Sequence, residues 1–205
     1  MYYDSQVALI DAWPATQPRR FSERQHAVLD ALEQVFDERG LRAVTLSDLT
    51  AAARCSRTTL YDIAPGKEQL FLVVLDRVMR RIAAGGRDAA ARVDDPIEQV
   101  AAITTAAAAG LGRMSPVFLD SVNAHPAATL LYERHVSDAR DTVERVMQHA
   151  IDQRLCRPIH PRVVADSLIV LALHFGGPRA MPAHDLGPTE ALRQALDLLV
   201  AGLRA

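Results

Sequence analysis

Thr45-Leu46-Ser47-Asp48-Leu49-Thr50-Ala51-Ala52-Ala53-Arg54-Cys55-Ser56-Arg57-Thr58-Thr59-Leu60-Tyr61 is the stretch that decides how this 205-residue chain is read. Thr45, followed three residues on by Asp48, has the capping-box form, in which a hydroxyl and a carboxylate each satisfy a backbone N–H at a helix start. It predicts a short helix to about Ala53. Ser56 is placed to cap a second short helix over 57–62. Two short helices joined by a tight turn have the proportions of a helix-turn-helix. In that motif the first helix braces the second, and the second lays its N-terminal side chains against base edges in the major groove. Leu49, Ala53, Cys55 and Leu60 are apolar and spaced to face a supporting helix around Leu32 and Phe36. The outward positions then hold Ser56, Arg57, Thr58, Thr59 and Tyr61. Arg57 suits bidentate contact with guanine, and Thr58 suits a hydroxyl contact or a thymine methyl. Lys67 heads the next helix, where an ammonium and free backbone amides together suit a phosphate.

Outward from this segment the chain keeps helical periodicity. Val28, Ala31, Leu32, Val35 and Phe36 repeat at the 3.6 spacing over 22–39, and Gly40 stands where a stop belongs. Pro65-Gly66 breaks the chain before a helix over 67–84, carried by Leu70, Val74, Val78 and Ile82 and expected to end at Gly85-Gly86. Asp95-Pro96 opens a helix to about 110, and Ser115-Pro116 opens a short one. Further helices are expected over 126–154, 161–175 and 189–203. Strand signals are nearly absent. The expected fold is therefore all-α, a small N-terminal three-helix unit joined through a connecting helix to a helical bundle. The expected divisions are an arm over 1–20 (with Pro14 and Pro18), a helix-turn-helix domain over 21–66, and the remainder over 67–205, with 67–84 as the connecting helix.

Composition sets the outer bounds. Apolar residues make up 49% of the chain and charged ones 23%, too apolar for a disordered chain and suited to one globular unit or two small ones. The net charge of −2 argues against a nucleic-acid binder when taken whole. Divided by segment, it hides five cations (Arg39, Arg42, Arg54, Arg57, Lys67) against Asp48 and Asp62 between residues 39 and 67. No apolar run approaches the roughly 18 residues of a membrane helix, and the N-terminus lacks the basic-then-apolar form of a signal peptide. Two isolated cysteines form no framework, so a reducing cytoplasm is expected. Lysine occurs once against 22 arginines, so a single arginine, including Arg19 or Arg20 in the arm, is weak evidence of a site.

The run from Gly40 through Leu49-Thr50, then Ala53 through Tyr61, then Gly66-Lys67-Glu68-Gln69-Leu70, resembles the TetR/AcrR family of bacterial regulators. The register holds over about 31 positions without a gap, with Thr59-Leu60-Tyr61 and Gly66-Lys67-Glu68 the most diagnostic parts. Residues 154–161 are similar to the linker before that family's penultimate helix. The chain departs from the family at Arg54, where a glycine is usual, and at Ile63-Ala64, where an aromatic pair is usual. The resemblance implies a homodimeric repressor that sets one recognition helix in each half of a palindromic operator on double-stranded DNA. Thr45, Arg54, Ser56, Arg57, Thr58, Thr59, Tyr61 and Lys67 would carry the DNA contacts, with Thr45, Tyr61 and Lys67 on phosphates. A small, partly apolar effector in the C-terminal bundle would tilt the connecting helix and release the DNA.

Met114, Phe118, Tyr132, His135, Leu171, His174 and Phe175 form the candidate effector pocket, each being a core candidate as well. The resemblance suggests a four-helix dimer interface from the last two helices of each chain, through Val164, Leu168, Leu171, Leu192, Leu196, Leu199, Val200 and Leu203, although the same stripes also read as intramolecular core. Cys55 fills a small apolar position and Cys156 is a lone linker thiol. The histidines are scattered, so no metal site is expected, and no cofactor or catalytic residue. GxSxG, P-loop, GxGxxG and HExxH motifs are all missing. Two other readings stay open, an all-α ligand-binding bundle with degenerate DNA binding and a helical-bundle enzyme.

Overall fold

A computed structural model describes residues 21–177 and 186–204. The expected arm over 1–20 lies outside the described residues. Among those described there are nine α-helices and no strand: α1 (Glu23–Ala43), α2 (Leu46–Ala52), α3 (Arg57–Ile63), α4 (Lys67–Ala90), α5 (Pro96–Leu111), α6 (Pro116–Ala124), α7 (Pro126–Asp152), α8 (Pro161–Gly176) and α9 (Pro188–Leu203). The all-α expectation holds. The chain divides into two compact units, one with 21–79 and 114–134 and the other with 80–113, 135–177 and 186–204.

In the first unit, Ser22 and Gln25 form a capping box that starts α1. The periodic residues of α1 then give a buried stripe of Val28, Leu29, Leu32 and Phe36. Gly40 breaks the helix with φ +72°. A Cβ there would lie 2.8 Å from Val117 Cγ1 and 2.9 Å from Ser121 Oγ, so glycine is required by conformation and by space alike. Leu41 N–H donates to Ser121 Oγ at 2.9 Å, and Ser115 N–H donates to Asp37 Oδ1 at 2.8 Å, which fastens α6 along the end of α1. Phe36 and Phe71 stack edge to face at 5.2 Å, and Phe71 meets Phe118 at 5.1 Å. Aromatic contacts of this kind add to the stability given by burial alone. A segment from far along the chain thus completes the core on which the two short helices rest.

The second unit is built on small and branched side chains. Ile97, Val100, Ile103, Val146, Met147, Ala165 and Ala172 share one core. At Gly176 a Cβ would approach Ala108 backbone atoms to 2.4–2.8 Å, so α8 meets α5 at a distance only glycine permits. Arg204 closes the end of α9 onto the start of α5, with Nη2 2.8 Å from Asp95 and 2.6 Å from Glu98.

Two expectations change. The helix expected to end at Ala84 continues through Gly85-Gly86 to Ala90. Each mid-helix glycine costs about 1 kcal/mol, yet Ala83, Gly86 and Ala90 form a continuous buried stripe of small residues that holds the helix together. The residues expected at a dimer interface lie mostly inside the protomer. Val164, Leu168, Leu192, Leu196 and Leu203 are only 1–5% exposed in the second unit's core, and Leu171, Leu199 and Val200 pack against it half-buried. A periodic apolar stripe marks the face a helix buries, without saying against what. The apolar residues presented outward are others: Val163 (56% exposed), Val170 (62%) and Leu173 (37%) on α8, and Leu198 (78%) on α9.

Candidate nucleic-acid interface

The start of α2 is fixed as its sequence requires. Asp48 N–H donates to Thr45 Oγ1 at 3.2 Å while Thr45 N–H donates to Asp48 Oδ2 at 2.8 Å. The Thr45 hydroxyl also donates to Asp48 Oδ2 at 2.6 Å. Arg39 adds a second tie, donating from Nη1 to Asp48 Oδ1 at 3.2 Å and from Nη2 to Ala43 O at 3.3 Å. The Thr45 hydrogen bonds, side chain first and backbone second, and then Arg39, hold the Asp48 carboxyl at about 2, well below the usual carboxylate range. Every donor of Thr45 is therefore engaged within the box.

The turn is a Schellman motif. Cys55 N–H donates to Thr50 O at 3.1 Å and Arg54 N–H donates to Ala51 O at 3.3 Å. This places Arg54 at φ +48°. The position does need a positive φ, and arginine occupies it at a cost a glycine would avoid. Ser56 caps α3, accepting from Thr59 N–H at 3.1 Å and lying 3.0 Å from the Thr59 hydroxyl. Ser56 and Thr59 thus bond each other. Leu60 and Ile63 are fully buried and Ala64 nearly so, hence an aliphatic pair fills the place of the aromatic one without opening the core. Leu49 is buried as expected, whereas Ala53 and Cys55 are only half-buried, and burial raises the Cys55 thiol pKa.

Arg57, Thr58 and Tyr61 lie on the exposed side of α3, and Arg54 is exposed beside them. Thr58, Tyr61 and Arg54 have no side-chain hydrogen-bond partner among the described residues. Arg57 donates from Nη2 to Ser47 Oγ at 3.1 Å, a contact across ten residues that local sequence patterns do not signal. Lys67 opens α4 with Nζ donating to Val44 O at 2.8 Å, which ties α4 to the chain before Thr45 and leaves two ammonium hydrogens. The result is a short helix with a buried inner face and an outer face of solvent-exposed donors, flanked by two cations. Such a surface matches the acceptors of base edges and phosphates.

The candidate effector residues do not gather in one unit. Met114, Phe118 and Tyr132 belong to the first and His135, Leu171, His174 and Phe175 to the second. Phe118 is core, packed on Phe71, and His174 is exposed, edge-on to Phe175 at 4.8 Å. Burial raises the Tyr132 phenol pKa. A cleft of about 440 Å³ in the first unit is lined by Arg39, Lys67, Glu68, Ser121 and His125 among others, and by none of the seven. Among the described residues no three His, Cys, Asp or Glu side chains are grouped to hold a metal, and no helix is long and apolar enough to cross a membrane.

Residues 28–74 match the family described as "Bacterial regulatory proteins, tetR family". An HTH-type transcriptional regulator of Mycobacterium tuberculosis is 31% identical over 80 residues, which are 39% of this chain and 38% of that one. The chain therefore spans well under half the length of the curated relatives it matches. Its fold is that of a TetR/AcrR-family regulator from Thermobifida fusca, with a TM-score of 0.68 at 17% identity over 90% of this chain and all of that one. AibR, in a complex described with isovaleryl coenzyme A and operator DNA, gives 0.63 at 21% identity over 89% of this chain and 98% of AibR. Residues 28–74 therefore match the tetR-family domain, and the chain as a whole shares its fold with solved structures described as TetR/AcrR-family regulators.

Proposed function

We propose that this chain is a sequence-specific DNA-binding transcriptional regulator, acting as a homodimeric repressor that a small-molecule effector releases. The outer face of α3 carries the reading. Arg57, Thr58 and Tyr61 offer hydrogen-bond donors to solvent from a helix whose inner residues, Leu60 and Ile63, are fully buried. Direct base contact belongs to Arg57 and Thr58. Arg54, Tyr61 and Lys67 bind phosphates and set the register of the helix on the duplex. Ser56 and Thr45 cap the two short helices and, with Thr59 bonded to Ser56, hold them in position. DNA binding is assigned to the helices over 21–66, and effector binding and dimerisation to 67–205, of which 67–79 and 114–134 share a compact unit with those helices.

Two recognition helices must meet half-sites roughly 34–36 Å apart, or a multiple of that. A dimer built from the outward apolar residues Val163, Val170, Leu173 and Leu198 sets that spacing. An effector that tilts α4 changes it, and by linkage such an effector binds the DNA complex more weakly than the free protein. The description of AibR, with an acyl coenzyme A and operator DNA, supports pairing both ligand types with this fold. No enzymatic step is assigned, and the cytoplasm is the expected compartment.

Gel shift with duplexes from the region upstream of the protein's own gene tests the reading. Binding tighter than to random DNA at matched salt is expected, and equal binding would refute it. Sedimentation at micromolar concentration checks the dimer. A wild-type chain that sediments as a monomer, or a Leu198→Glu chain that still sediments as a dimer through this face, overturns that part.

A further inference from the structure

We propose that Ser47 is a positioning residue for base reading, holding the Arg57 guanidinium in the orientation that selects one base pair. The proposal rests on the DNA-binding reading above. Arg57 is the first residue of α3 and Ser47 the second of α2, and both are exposed. The Arg57 Nη2–H to Ser47 Oγ bond of 3.1 Å joins them across the turn.

The anchor for that bond is itself held in place. The Thr45–Asp48 box starts the helix, Arg39 grips Asp48 and Ala43 O, and the Thr50 hydroxyl donates to Ser47 O at 2.9 Å. An exposed arginine with no partner samples many rotamers, and reading a guanine with two parallel hydrogen bonds requires one of them. A bond that uses a single Nη2 hydrogen leaves four of the five guanidinium donors free, enough for a bidentate contact. Fixing the side chain beforehand lowers the ordering cost at binding. Both partners are exposed, so the bond contributes little to folding, and its effect falls on recognition.

The test uses the full chain and a duplex library with a randomised core, selected in parallel on wild type, S47A, S47T and R57A. Affinities for the wild-type-selected duplex and each of its single-base variants are then measured by fluorescence anisotropy at matched salt. S47A should lose about three- to tenfold on the selected duplex, with the discrimination lost at the base pair where R57A loses it. S47T keeps the hydroxyl and should keep the preference. The S47A/R57A double variant should bind no worse than R57A, because the two act through one contact. Thermal midpoints should be unchanged by S47A. An S47A chain with wild-type base preference, a loss spread evenly over all sequences, or additive losses in the double variant would each overturn the proposal. If wild type enriches no sequence, the DNA-binding reading fails and this proposal with it, which is a separate and recognisable result.

Discussion

Arg54 and Arg154 occupy the same local structure and lead to different ends. Each is a non-glycine residue at positive φ, +48° and +58°, and each is the left-handed residue of a Schellman motif. Leu155 N–H donates to Ala150 O and Arg154 N–H to Ile151 O, repeating the pattern of Cys55 to Thr50 and Arg54 to Ala51. After Arg54 the chain enters a capped helix with an outer face of free donors. After Arg154 it folds back, so that Cys156 and Ile159 lie against an apolar core. An unfavourable φ under an arginine therefore does not mark a binding site by itself. The segment entered after the stop marks it, and that contrast extends to the two units. The first is positioned by polar caps and ties, the second by close packing.

The largest expected effect probes the packing side. Gly176→Val places a branched side chain against the Ala108 backbone and should destabilise the protein by about 3 kcal/mol or more in urea unfolding. Gly85→Ala, where nothing lies within 4 Å of the new methyl, should stabilise by about 1 kcal/mol. Equal behaviour at the two glycines would remove the packing argument. On the polar side, Arg57→Ala should cost roughly 1–3 kcal/mol of DNA affinity and relax one base preference, with unfolding unchanged. A uniform loss over all sequences would reassign Arg57 to a phosphate. Thr45→Ala removes a cap and should lower stability by about 1 kcal/mol in the same unfolding assay. The smallest effect returns to the two arginines. Arg54→Gly and Arg154→Gly should each stabilise by about 0.5–1 kcal/mol, but only Arg54→Gly should weaken DNA binding, and evenly across sequences. If Arg154→Gly weakens it as much, the distinction between the two stops collapses.

The first unit was largely legible because its signals are local. Thr45 and Ser56 each accept hydrogen bonds at the helix starts their spacing predicts, and Gly40 takes the backbone that only glycine takes easily. Two glycines at 85 and 86 misled, because burial of Ala83, Gly86 and Ala90 outweighs a weak propensity. The Leu192–Leu203 stripe gave the helix and its buried face, but periodicity does not say whether the covering surface is the same chain or a second one. The Arg57–Ser47 contact, the Arg39 tie and the α1–α6 fastening through Asp37, Ser115 and Ser121 join residues whose meeting depends on the tertiary fold. The net charge of −2 averages the cationic stretch between residues 39 and 67 with more acidic segments and so hides it.

The most direct measurement is the affinity of the full chain, at one fixed salt concentration, for a duplex enriched by selection and for the same duplex with its bases shuffled. A specific regulator should prefer the first by on the order of a thousandfold or more. A ratio near one, with both affinities falling equally as salt rises, would leave only phosphate attraction and would contradict the assignment of α3 as the element that reads sequence.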